Sequence, residues 1–470
     1  MEIQILFAFI VYFCVLAIIG IIFYTKAKNE SGYVLGGRSV NYWVTAIATQ
    51  SSDMGSWLFL AFPAAVYLNG MPECWTAIGL VFFMYLNWQF VAPKLRIATE
   101  QNNNLTFTSY LNNRYNDKSN YIGLVSALII IIFFTYYVGS GLVGLGRLFQ
   151  AAFGIEYHTG LIVGLMSALI FTLIGGFLAV AWTNLFQGIF LLIVIIFVPL
   201  YALYYIGNIN FIAQAAALNN VSLSLFSHDI SIWQSIFLAA GWGLGYFGQP
   251  HILVNFMGID DPKKINAAKY VGLVWQILVL SAAIAIGLIA MAYFAHQPLD
   301  NPELLFIVMT KQLFTPLLAG FVLCAILAAA LSTIATQILI SGTIFAEDIY
   351  KKKFNTNASS THIVWISRLA VIGASLSALV ISWNNSNSIY DAVSYAWSGL
   401  GSSFSAIVLL SLYSNRVTRQ GALAGILAGA FVSGFWPYMN SSLMPLIPGF
   451  TLSLFTIIIV SQLTKNQEAK

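Results

Sequence analysis

The sequence predicts an all-α integral membrane protein with thirteen transmembrane helices, on three observations. Of 470 residues, 59% are apolar and 8% are charged, with 20 Lys and Arg against 16 Asp and Glu, where a soluble domain carries roughly 25% charged residues. Mean hydropathy is +0.83. Thirteen apolar stretches each approach the ~20 residues a helix needs to cross ~30 Å of hydrocarbon, and the basic residues alternate in side between them. So few charges cannot coat a globular surface. A soluble enzyme, a disordered chain and a nucleic-acid-binding domain are excluded, and the lipid bilayer is the expected solvent.

In order, the stretches are Ile3 to Tyr24, Tyr42 to Leu68, Trp75 to Ala92, Tyr121 to Phe149, His158 to Val180 and Leu185 to Ile206. Ser231 to Met257, Tyr270 to Ala295, Phe314 to Ala346, Ile363 to Ser382, Ile389 to Tyr413, Gly421 to Met439 and Leu443 to Leu463 follow. The first is expected to be a retained helix, because Glu2 and no basic residue precedes it, the wrong flank for a cleaved signal peptide. Connections such as Pro93 to Asn120 and Gly207 to Ile230 are too short to bury a separate core. Function is therefore expected inside the bundle.

Basic residues collect on cytoplasmic connections, and that rule orients the chain. With the N-terminus outside, Lys26, Lys28, Arg38, Lys94, Arg96, Arg114, Lys118, Lys263, Lys264, Lys269, Lys351, Lys352, Lys353, Arg368, Arg416, Arg419, Lys465 and Lys470 fall inside. Arg147 and Lys311 fall outside, so 18 of 20 agree with an external N-terminus and a cytoplasmic C-terminus.

Most acids lie in connections or at span ends, as Glu73, Asp260, Asp261, Glu347 and Asp348 do. Asp53 instead lies near the middle of the second span, in the polar run Thr49-Gln50-Ser51-Ser52-Asp53-Met54-Gly55-Ser56-Trp57. An ionised group there costs several kcal/mol unless it meets a partner or water, so Asp53 is a candidate functional acid; a carboxyl merely bonded to neighbouring Ser and backbone groups is the alternative. The seventh span is interrupted by Gly241-Trp242-Gly243-Leu244-Gly245-Tyr246-Phe247-Gly248-Gln249-Pro250-His251. Unwound backbone in a membrane is tolerated where it lines a cavity or packed protein. Interruptions five spans apart fit transporters built from inverted repeats, whose broken helices meet a substrate at mid-membrane; close helix packing by glycine is the plainer reading. On the ninth span Ala329, Ser332 and Thr333 share one face. Facing unwound carbonyls, those hydroxyls would make an all-oxygen site for a hard monovalent cation, although Ser and Thr often bond back to their own helix.

Other patterns carry little. Gly243 to Gly248 and Gly139 to Gly144 match G-x-G-x-x-G but follow no strand. Cys14, Cys74 and Cys324 are odd in number and far apart, against both a disulfide framework and a metal site. His158, His251 and His362 fall at or near span edges without metal-ligand spacing.

With these residues in view, the chain resembles the sodium/solute symporter family from about Tyr33 to Phe450, most nearly its bacterial sodium/proline members. The resemblance rests on Tyr33-Val34-Leu35-Gly36-Gly37-Arg38-Ser39, Ser52-Asp53-Met54, Gly241 to His251, Ala325 to Thr333 and Glu347-Asp348-Ile349-Tyr350. It implies a LeuT-type arrangement: a first helix over 1–30, inverted repeats over 31–206 and 231–413 with broken second and seventh helices, and two C-terminal helices with a cytoplasmic tail over 414–470. It further implies a sodium ion held by the Ser51, Met54 and Ala329 carbonyls and the Ser332 and Thr333 hydroxyls. Asp53, Trp57, Tyr137, Trp242, Tyr246 and Pro250 would contact the solute. The expected activity is sodium-coupled import of proline by alternating access across the bacterial plasma membrane, with no covalent chemistry; another small solute or proton coupling is the alternative.

Two departures bear on this. Proline-type members usually read Asp-Met-Ser-Gly-Trp, whereas this chain has Gly55-Ser56. Asn184 stands where many relatives have Asp, and Ala335 offers no side-chain oxygen, so a single coupled sodium is expected.

Overall fold

In the computed structural model the chain is 85% helical, and the structure describes residues 2–24, 30–227, 231–384, 388–439 and 443–465. Lys26, Lys28 and Lys470, used above for orientation, lie outside the described residues. The helices are α1 (Glu2–Tyr24), α2 (Glu30–Leu35), α3 (Tyr42–Asp53), α4 (Ala61–Asn69), α5 (Cys74–Leu86), α6 (Ala92–Gln101) and α7 (Phe107–Arg114). Next come α8 (Tyr121–Phe153), α9 (Tyr157–Ile206), α10 (Asn210–Leu218), α11 (Ile232–Gly243), α12 (Pro250–Gly258) and α13 (Ile265–Tyr293). The chain ends through α14 (Leu305–Leu313), α15 (Pro316–Ile344), α16 (Ser360–Ser382), α17 (Ile389–Tyr413), α18 (Arg419–Phe435) and α19 (Leu446–Thr464). Among the described residues the one β-type pairing is an isolated bridge between Val40 and Ile259.

Ten helical segments among the described residues are long and apolar enough to cross a membrane. A helix apolar all round belongs in the middle of a bundle, and α15 obeys this rule: 83% of its most apolar stretch is buried. It packs against α1, α3, α8, α9 and α16, which places Ser332 and Thr333 at the centre of the molecule.

Two stretches depart from regular helix beside α15. After Asp53 the backbone leaves α3 through Met54 (φ −86°, ψ 67°) and Gly55, makes a 3-10 turn over Ser56–Leu58 and resumes as α4. The second departure follows α11: Leu244–Gly248 form a 3-10 turn, Gln249 is extended, and Pro250 opens α12 at a position where its missing N–H costs nothing. At Gly248 a Cβ would lie 2.5 Å from the Ser405 backbone nitrogen, so only glycine lets α17 approach this turn.

The structure corrects one boundary. The fifth and sixth spans were expected to divide between Val180 and Leu185, but residues 157–206 run as one helical stretch divided at Gly176 (φ 56°, ψ −155°). Trp182-Thr183-Asn184 offered the stronger polar signal, yet hydroxyl and amide side chains bond within helices without breaking them: Thr183 Oγ1 donates to the Ala179 carbonyl at 2.9 Å. The positive φ requires glycine, and a Cβ there would lie 2.7 Å from the Tyr33 ring. The connection from Pro93 to Asn120 is also more ordered than a loop, containing α6 and α7.

Candidate functional site

Asp53 ends α3 and is 1% exposed. Its Oδ2 accepts a hydrogen bond from Tyr246 Oη at 2.7 Å, across from the turn that follows α11. Tyr246 Oη in turn accepts from Gln276 Nε2 at 2.9 Å, and Gln276 Oε1 accepts from Gln50 Nε2 at 3.3 Å. The Asp53 carbonyl, freed where the helix ends, accepts from Trp57 Nε1 at 3.3 Å and Tyr137 Oη at 3.5 Å. Thus four elements meet around Asp53: α3 carries it, the turn after α11 bonds its carboxylate, α8 bonds its backbone carbonyl, and α13 reaches it through Tyr246.

Aromatic rings wall this cluster. Trp57 and Trp242 stack with centroids 5.9 Å apart and planes 16° from parallel. Trp397 lies edge-on to Tyr246 at 5.2 Å and donates from Nε1 to the Trp242 carbonyl at 2.9 Å. Such pairs are worth about 0.5–1.5 kcal/mol beyond the area they bury, which makes the wall a defined surface. Between the rings and α15 a cavity of ≈ 10 Å³ remains, lined by Gly55, Trp57, Tyr137, Ser140 and Thr333 among others. That holds about one water. Trp57, stacked on Trp242, lines this space. On their far side a cavity of ≈ 440 Å³ is lined by Tyr390 and by the ion-paired Arg147 and Glu303, and Trp242 Nε1 donates to Tyr390 Oη at 3.3 Å.

A second group of oxygens converges one turn away. Ser332 Oγ donates to the Ser51 carbonyl at 2.7 Å and to the Ala329 carbonyl at 2.9 Å, so three of the five oxygens expected from sequence already lie together. Thr333 Oγ1 is buried without a hydrogen-bond partner and faces the break: a Cβ on Gly55 would stand 3.2 Å from it. Met54 is fully buried within the break itself. Neutral hydroxyl and carbonyl oxygens are the ligand type a hard cation takes, and among the described residues no group of three His, Cys, Asp or Glu gathers to hold a transition metal. Beside this group, Ser51 Oγ donates to the Asn184 carbonyl and Asn184 Nδ2 to Thr336 Oγ1, both at 2.9 Å. Ala335 is buried and adds no side-chain oxygen.

Asp53, Trp57, Tyr137, Trp242 and Tyr246 therefore form one bonded and stacked cluster; Pro250 is buried at the start of α12, adjoining it through the chain. Sequence reasoning missed four members. His251, read as lying near a span edge, is fully buried with Nε2 3.6 Å from Asp53 Oδ1. Gln276 was detectable as a lone polar residue inside the eighth span, and Gln50 stood in the polar run already singled out. Trp397 left no signal among so many aromatic residues.

The sodium:solute symporter family matches residues 33–429. The chain belongs to the sodium:solute symporter family. It is 41% identical over 455 residues to the high-affinity proline transporter PutP of Bacillus subtilis, covering 95% of this chain and 96% of that one. A sodium/proline symporter of Staphylococcus aureus is 40% identical over 475 residues, covering 98% and 92%. Among solved structures, a substrate-bound outward-open Na+-coupled sialic acid symporter superposes with a TM-score of 0.84 at 17% identity over 98% of each chain. Mhp1, a nucleobase-cation-symport-1 family transporter in a closed conformation, gives 0.58 at 14% identity over 94% and 96%. These two likenesses establish the fold, a LeuT-type transporter architecture. As a family member the chain is a multi-pass membrane transporter that couples solute movement to sodium, and it is not an enzyme.

Proposed function

We propose that the chain imports proline with a single sodium ion by alternating access. The observation that carries this reading is the meeting of both helix irregularities with the α15 hydroxyls around Asp53. The cation would exchange the Ser332 hydrogen bonds for coordination by the Ser51, Met54 and Ala329 carbonyls with the Ser332 and Thr333 hydroxyls, tying α3 to α15. The solute would lie between Trp57, Tyr137, Trp242, Tyr246 and Pro250. A proline ring packs on aromatic faces, its secondary ammonium pairs with Asp53 and with ring faces, and its carboxylate meets backbone N–H groups freed at the breaks. Relatives at 41% and 40% identity carry proline in their names, which supports this solute. Asp53 couples the two ligands, since it adjoins the ion group through the chain and the ring cluster through Tyr246. Reciprocity then requires solute to tighten sodium binding as much as sodium tightens solute binding.

Thirteen spans follow when α3 with α4, the segment Tyr157–Ile170 and α11 with α12 are added to the ten long segments. Residues 31–206 and 231–413 are then the inverted repeats, with the N-terminus outside and the C-terminus in the cytoplasm. One observation favours a different solute: Ser56, not residue 55, carries the hydroxyl, and it packs against Gly144 of α8, where a Cβ would lie 2.7 Å from it. Labelled proline uptake into proteoliposomes, with and without an inward sodium gradient and with unlabelled amino acids and sugars as competitors, decides between them. Absence of sodium-dependent proline uptake rejects the first reading.

A further inference from the structure

A cavity open to the outer face lies away from the central cluster, between α5 and α13. It measures ≈ 560 Å³, and its walls are the apolar stripes Ile78, Phe82 and Tyr85 of α5 and Leu273, Ile277 and Ile284 of α13. Ile78, Phe82, Tyr85 and Ile277 are exposed on the outer surface of the helix bundle. From Leu273 to Ile284 the groove is about 16 Å long at 1.5 Å per residue, close to the depth of one leaflet, half of ~30 Å.

One helical turn beyond Leu273 the stripe ends at Lys269. Its residue is 3% exposed, an unusual degree of burial for lysine unless it is paired. Lys269 Nζ donates to Gln89 Oε1 at 2.7 Å and lies over the Tyr85 and Tyr270 rings at 5.2 and 4.5 Å. Among the described residues no carboxylate forms an ion pair with it. A neutral amide and two ring faces leave an ammonium with donors to spare and no counter-charge, which a low-dielectric site disfavours. The exposed Lys263 and Lys264 add positive charge at the same end of α13. The nearby acids do not reach Lys269: Asp260 Oδ1 accepts from the Asp261 N–H and Asp261 Oδ1 from the Lys263 N–H.

We propose that this groove binds one anionic phospholipid, with an acyl chain along the α5–α13 seam and its phosphate displacing the exposed Gln89 side chain from Lys269 Nζ at the end of the seam. The phosphate supplies the missing charge, the tyrosine rings sit at headgroup level, and the groove buries a chain of one leaflet's length. Under the proposed orientation that leaflet is the cytoplasmic one, where juxtamembrane lysines attract anionic headgroups. The site stands apart from the transported solute, so it survives if the solute is not proline.

Native mass spectrometry of the purified full chain tests it, with phosphatidylglycerol as probe and phosphatidylcholine and inorganic phosphate as comparison arms. Wild type retains phosphatidylglycerol over phosphatidylcholine, and inorganic phosphate does not displace it. Lys269→Gln weakens retention roughly fivefold, the worth of one lysine at an anionic surface, while Lys269→Arg preserves it. Ser281→Trp fills the groove from its lipid-facing side and abolishes retention, and it carries the test even where Lys269→Gln fails to fold. Equal retention of the two lipids, displacement by inorganic phosphate, or wild-type retention in either Lys269→Gln or Ser281→Trp overturns the proposal.

Discussion

The Tyr246 hydroxyl donates to Asp53 Oδ2 at 2.7 Å across 193 residues of sequence, and this bond ties the break after α3 to the turn after α11. A hydrogen bond to an ionised group is worth about 1.5–3 kcal/mol. Tyr246→Phe keeps the ring edge-on to Trp397 and removes the donor, so solute KM should rise about tenfold to a hundredfold with normal amounts of protein in the membrane. Asp53→Asn removes the charge as well and should abolish sodium-stimulated uptake. Uptake kinetics on both variants check this; a Tyr246→Phe defect larger than that of Asp53→Asn would mean the phenol acts independently of the carboxylate.

The ion group makes a separate prediction. Ser332 Oγ bonds two carbonyls at once, so Ser332→Ala removes one ligand and frees two others. Combined with Thr333→Ala, it should abolish sodium dependence of transport and of solute binding. Sodium titrations of solute binding to purified protein read it directly, and unchanged sodium dependence in the double variant would show that the cation binds elsewhere.

Trp242 should separate solute from ion. It stacks on Trp57 and donates to Tyr390, while the side-chain hydrogen bonds that tie Ser51, Ala329 and Ser332 together run among themselves and to Asn184 and Thr336. Trp242→Ala should therefore raise solute KM by more than about tenfold, as losing a well-packed aromatic anchor does, yet leave sodium affinity measured without solute unchanged. Equal losses in both would assign Trp242 a structural role in the ion group.

How far these clusters could be read from the chain depends on the kind of signal. Asp53 was legible because a carboxylate in an apolar run is costly whatever the local geometry, and the turn around Gly245 because Gly and Pro at that density disfavour helix. Those signals locate residues on spans but not beside one another: nothing in the periodicity pairs Tyr246 with Asp53 or brings Gln276 to both. His251 looked peripheral because the apolar pattern resumes at Ile252, although the fold turns that point inward. The division at Gly176 was hidden for a different reason. Backbone handedness has no polarity, and the Gly175-Gly176 pair lies inside an apolar run that continues on both sides, so it reads like glycine serving close helix packing.

Outside the spans, Asp117 provides a pH-dependent tether. Burial alone would raise its pKa, but hydrogen bonds from Ser119 Oγ and the Ser119 and Ile122 N–H groups, with Arg419 at 3.4 Å, hold it below the usual carboxylate value. A carboxyl lowered on folding contributes stability above its unfolded pKa, about 3.9, and loses that contribution as pH falls through the lowered folded value. Asp117→Asn should thus lower Tm by a few degrees at neutral pH and flatten the acid limb of a Tm-against-pH profile. Parallel acid limbs in wild type and variant would assign the acid sensitivity to other groups.

Asn184 sets the expected stoichiometry. It is 1% exposed, its Nδ2 donates to Thr336 Oγ1, and its Oδ1 has no hydrogen-bond partner. Its amide offers a second cation one neutral oxygen where a carboxylate would bring a charge, its nitrogen already occupies the Thr336 hydroxyl, and Ala335 supplies no side-chain oxygen beside it. Reversal potentials in proteoliposomes should accordingly give one sodium per solute. Asn184→Asp places a carboxylate in contact with Thr336, which bonds the Ser332 carbonyl, on a residue whose own carbonyl accepts from Ser51 Oγ. That charge should raise sodium affinity, increase the Hill coefficient for sodium above one, and move the reversal potential toward two ions. A wild-type ratio of two would refute the argument at once, and an unchanged ratio in Asn184→Asp would show that the charge at residue 184 does not control the count.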